Sequence, residues 1–198
     1  MKLKKLANNV INFGINRVIE IIGISILVIG ILLLASLITF SPGDPNFIFP
    51  NDTVIKNVLG FRGSFTADIF FQSFGVIALL IPFSLIASGA NIIINKKILL
   101  IIKSIFYTTL YSLLGSLFFS FFYPIAFNLY INGNGGFVGK FLETSFLNSL
   151  MSSNTNVVYF LSIFLIIIFF LISIQFKISS FSIIIKSIFK FCDFIQIK

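Results

Sequence analysis

The run best equipped for chemistry is Gly133-Asn134-Gly135-Gly136-Phe137-Val138-Gly139-Lys140. Glycines ending in a lysine can cradle phosphate, but that pattern needs glycines five apart, then Lys and Ser or Thr. Asn134 occupies the place of the first glycine, and Phe141 follows Lys140. The run therefore reads as turn-forming glycine in a solvated loop. Elsewhere the inventory is sparse. There is no histidine, which removes the commonest general base and metal or haem ligand. The single cysteine, Cys192, cannot form an intrachain disulfide and leaves the compartment open. The six acids form no pair of buried carboxylates, and no nucleophile motif occurs. Asn51-Asp52-Thr53 fits a glycosylation acceptor, but Asp52 or Thr53 reads better as the N-cap of a helix starting near Val54. The sequence predicts no catalytic residue, no metal site and no cofactor: the chain is not an enzyme on this reading.

What the chain does have is apolar length. Hydrophobic residues make up 58% of its 198 positions, and mean hydropathy is +1.09. Only 10% are charged, against roughly a quarter in a soluble domain, so the solvent must be lipid. The stretch from Ile21 to Phe40 has no charge, and about 20 helical residues cross the roughly 30 Å of a bilayer's hydrocarbon. Four such spans are expected, at about 21–40, 69–94, 104–127 and 157–176. Pro82 is expected to kink the second and Pro124 to lie near the end of the third. An amphipathic segment, 1–20, precedes this membrane domain of 21–176, and a basic amphipathic tail, 177–198, follows it. The predicted fold is an all-α integral membrane bundle of four antiparallel transmembrane helices with both termini cytoplasmic.

The net charge of +8 is distributed by side. Eleven basic residues, including Lys96, Lys97, Lys103 and Lys177, fall on one side of the spans; Lys56, Arg62 and Lys140 fall on the other. This is the asymmetry that sets membrane orientation, so Lys96, Lys97, Lys103 and Lys177 are the expected topology-setting residues. The partner those lysines imply is the bilayer, not nucleic acid. No span carries a charge in its middle, which argues against an ion-coupled transporter. In the third span Thr108, Ser112, Ser116 and Ser120 recur every four residues on one face. Such small hydroxyl side chains let another backbone approach, within the bundle or between copies. Ser84 and Ser88, and Gly23 and Gly30, form shorter stripes on the second and first spans. The fourth span, nearly all Ile, Leu and Phe, is expected to face lipid most broadly.

The first loop carries Phe40-Ser41-Pro42-Gly43-Asp44-Pro45-Asn46, then Asn57-Val58-Leu59-Gly60-Phe61-Arg62-Gly63, Ala67-Asp68 and Gln72-Ser73-Phe74-Gly75. In this order the residues resemble the N-terminal membrane domain of FtsK/SpoIIIE-type DNA translocases. The residues carrying the motif are Asp44, Pro45, Gly60, Gly63, Asp68 and Gly75; Phe61 stands where that family usually has Pro. Gly135-Gly136-Phe137-Val138-Gly139 resembles the family's Gly-Gly-x-x-Gly stretch in the second loop. The resemblance covers roughly 18–176. It implies a membrane anchor and assembly domain at the division septum of the bacterial inner membrane. It also implies a homo-oligomer, hexameric in the family, with other division proteins as partners and no nucleic acid bound by this segment. The ATPase motor of the family is expected to lie after such a domain, making this chain a fragment or a separately encoded membrane part. A small multi-span transporter or permease subunit is the alternative, and a scaffold unrelated to division a third.

Overall fold

The computed structural model describes residues 2–45, 54–124, 132–145 and 147–176, with side-chain surroundings from residue 11 onward. All its regular elements are helical. In order they are α1 (Lys2–Ile38), α2 (Gly60–Phe74), a 3-10 turn (Gly75–Leu80), α3 (Ile81–Asn95), α4 (Leu99–Phe122), α5 (Gly136–Glu143), α6 (Leu147–Ser153) and α7 (Thr155–Ser173). Among the described residues, four stretches are long and apolar enough to cross a membrane: Ile11–Ile38, Gly60–Asn95, Leu99–Phe122 and Thr155–Ser173.

α1 is one helix. It runs unbroken through residue 20, where the sequence suggested a separate amphipathic segment. Two i,i+4 serine or threonine bonds follow its axis, from Ser25 to the Ile21 carbonyl and from Thr39 to that of Ala35. Its partner is α3, and glycine sets the approach. A Cβ on Gly30 would meet the Ile86 nitrogen at 2.9 Å. One on Gly89 would meet the Leu27 nitrogen at 2.6 Å. Backbone atoms cannot yield as a side chain can, so these positions hold the two helices at close range. At the far end of this pair Glu20 accepts from Lys96, 2.9 Å away, and from Arg17.

The second apolar stretch is not one rod. The chain expected to kink at Pro82 changes instead to a 3-10 turn at Gly75, and Pro82 lies in the first turn of α3. There its missing N–H costs nothing, because the first helical donors have no intrahelical partner anyway. The 3-10 turn and α3 together reach about 34 Å, which spans the hydrocarbon unaided. α2 is therefore surplus to the crossing. It caps the loop end, burying Gly63, Ala67 and Phe71 on one side. Phe71 and Ala67 join Leu33 and Leu37 of α1 and Ala78 and Ile81 in one core. A second core gathers Ile77, Tyr111, Phe118 and Ile166.

α4 begins at Leu99 and ends at Phe122, earlier at both ends than expected, and Pro124 lies just beyond it. α7 contributes the least buried of the four apolar stretches: 11% of its window is covered, against 28–39% for the others. The fourth span thus leaves the broadest face uncovered by the described residues, as its composition leads one to expect. The loop read as glycine turns holds α5 and α6. Lys177, the basic tail and the Asn51-Asp52-Thr53 run lie outside the described residues. Residues 54–56 carry no helix; the next one starts at Gly60.

Candidate functional site

The loop end of the bundle is tied by two sets of polar contacts. The first joins the end of α1 to the start of α2. Asp44 is buried, and its two carboxylate oxygens accept from the backbone N–H groups of Lys56 (3.0 Å) and Asn57 (2.8 Å). Asn57 is buried too. Its amide donates to the Ser36 carbonyl at 2.8 Å, and its side-chain oxygen accepts from the Leu59 N–H at 3.1 Å. Ser36 donates to the Gly63 carbonyl, and Ser64 to the Pro45 carbonyl at 2.9 Å. A Cβ on Gly63 would collide with the Asn57 amide and with Leu59. Gly60 has φ +65°, a value that favours glycine. So Asp44, Pro45, Gly60 and Gly63 come together in one knot. Its central member is Asn57, which lies in the motif stretch without being one of the motif-bearing residues.

The second set joins the α2–α3 break to the glycine-rich loop. Gly75 has φ +68°, and a Cβ there would strike the backbone of Asn134 and Gly135. The Val76 N–H donates to the Asn134 carbonyl at 2.9 Å. Asn134 is buried and its amide donates to the Tyr123 carbonyl. The Asn132 N–H reaches Gln72 at 3.1 Å, and Gln72 in turn donates weakly to Asp68, 3.4 Å away. Asp68 is thus buried in α2 on the margin of this second set, apart from Asp44.

The α4 stripe is the floor on which α5 lies. Ser116, fully buried, donates to the Phe74 carbonyl at 2.9 Å, and Ser120 donates to Glu143. Gly135 and Gly139 press against the backbone of Ser116 and the side chain of Ser120. Thr108 lies further along and meets Ser173 of α7, hydroxyl to hydroxyl, at 2.8 Å. Ser112 is buried between them, with no hydrogen-bond partner among the described residues. On α3, Ser84 meets the buried Tyr111 hydroxyl at 2.9 Å, a contact that sequence spacing did not foretell. Lys96, Lys97 and Lys103 are exposed at the opposite end, where Lys96 pairs with Glu20.

This arrangement holds backbone segments in place. No group of three or more His, Cys, Asp or Glu side chains able to hold a metal occurs among the described residues. Each acid is occupied by a donor: Asp44 by its own loop, Asp68 by Gln72 of its own helix, and Glu143 by Ser120 of α4.

The family profile described as the 4TM region of DNA translocase FtsK/SpoIIIE matches residues 16–187. The DNA translocase FtsK of Rickettsia bellii (strain RML369-C) is 28% identical to the chain over 171 residues, which cover 83% of the chain. That match covers about a fifth (21%) of the relative's own length. No solved structure matches.

Proposed function

This chain belongs to the family of the 4TM region of DNA translocases FtsK/SpoIIIE, a multi-pass membrane family, and from that premise we propose that it is the membrane anchor of such a translocase. The observation that carries the reading is the match of nearly the whole chain to that region, over the four apolar stretches. The anchor lies in the bacterial inner membrane and gathers at the division septum. It associates with further copies of itself, six by resemblance to the family, and with other division proteins. It makes no chemical step and touches no DNA: its work is to hold a motor at the membrane.

The spans run antiparallel, with both termini in the cytosol. Gly23 lies against Gly89 and Ile93 while Gly30 lies against Ile86, a pairing that supports opposed directions for α1 and α3. Thr108 with Ser173, and Tyr123 with Tyr159, support the same for α4 and α7. The lysines at 96, 97 and 103 favour the cytosol for their end. The permease alternative gains nothing here: the hydroxyls of Ser84, Tyr111, Thr108 and Ser173 are spent on one another instead of lining a path.

A fluorescent fusion in dividing cells with wild-type partners is expected to concentrate at division sites and to co-purify with a differently tagged copy. Even distribution around the envelope would overturn the septal assignment, and a strictly single-copy preparation the assembly.

A further inference from the structure

Beneath α2, between it and the α1–α3 pair, lies a groove of about 430 Å³. Its walls include Ile29, Leu32 and Leu33 of α1, Phe70 of α2 and Leu85 of α3, with Arg62 the one charged residue lining it among the described residues. We propose that this groove holds an acyl chain of an anionic phospholipid whose phosphate sits on Arg62.

The groove is of ligand size. It faces a medium of lipid, so it is filled by lipid or by protein. Water is a poor occupant, because a buried water needs two to four polar partners. The two hydroxyl residues of the lining are already engaged: Ser36 donates to the Gly63 carbonyl and Thr66 to the Arg62 carbonyl. What remains is apolar wall and one cation. Arg62 is exposed, two residues into α2, and makes no ion pair among the described residues. Its long side chain can lie along apolar surface while the guanidinium stays at the level of the headgroups. A guanidinium matches a phosphate with paired donors.

A second copy of the chain fits less well. A helix laid in the groove would cover Arg62 and would need a carboxylate to meet it. Among the described residues, Asp44, Asp68, Glu20 and Glu143 are each engaged within their own chain. A phospholipid brings both parts at once, an apolar chain for the wall and an anion for the cation.

The test uses the full chain in bilayer nanodiscs with phosphatidylglycerol carrying a photoactivatable group on one acyl chain. Adducts are mapped by peptide mass spectrometry. They are expected to concentrate on residues 29–36 and 70–85. Arg62→Gln should lower groove labelling about fivefold, the weight of one cation near an anionic surface. Leu85→Trp should remove it by filling the groove. Labelling at Phe160 and Phe164 of α7 should stay constant in both variants, which reports an intact bundle. Equal labelling of groove and α7 would overturn the proposal. So would groove labelling indifferent to Arg62→Gln, or crosslinks from the groove to a second copy in place of lipid.

Discussion

Asp44 and Asn57 do more for the loop end than their numbers suggest. Each replaces water for buried backbone groups that no helix satisfies, and an unmade buried bond costs more than a made one gains. Asp44→Ala leaves the N–H groups of Lys56 and Asn57 unpaired and should cost about 2 kcal/mol in detergent unfolding. Asp44→Asn, which keeps one good acceptor, should recover part of that loss. Gly89 acts through what it lacks. Gly89→Val would drive a side chain into the α1 backbone and should lower stability by about 3 kcal/mol, read as an earlier melting transition. An unchanged transition in either variant would remove the role assigned to that residue. Asp44 was visible in the sequence as part of a motif. Asn57 is not legible there, because in a chain rich in Asn a lone one carries little signal, and its use depends on Ser36, 21 positions away.

At the scale of elements, charge-free runs mark the four apolar stretches, but Ile11–Ile38 and Gly60–Asn95 begin nine or ten residues before the runs do, and Leu99–Phe122 is offset by five at both ends. The break at Gly75 was hidden. Hydropathy continues across it, and its cause is a carbonyl of Asn134 brought in from a distant loop. The proline that drew attention, Pro82, sits where helices accept it. α5 was hidden for a related reason. Its glycines read as turns, yet Gly136 and Gly139 are small because they lie on neighbouring backbone. The α4 stripe joins these pieces: Ser116 holds Phe74 and supports α5. Replacing Ser112 and Ser116 together with Leu should push α5 and the 3-10 turn off α4. Cysteine crosslinks engineered between α4 and α3 should then fall. Undiminished crosslinking would show that the stripe has no packing role.

The whole molecule is a bundle with two unlike ends. One is knotted by loop and backbone contacts; the other is basic and held by the Glu20–Lys96 pair. That polarity suits the proposed anchor, which has to enter the bilayer one way round. The composition made the membrane legible, since side chains facing lipid obey one rule along their whole length. The loop architecture was less so, because it rests on pairings between residues 11 to 60 positions apart. Orientation is the claim on which the anchor reading stands. With Cys192→Ser as background, single cysteines at Pro42 and Lys97 are offered a membrane-impermeant maleimide in intact cells. Pro42→Cys is expected to label at once and Lys97→Cys only after lysis; the reverse order would overturn the orientation.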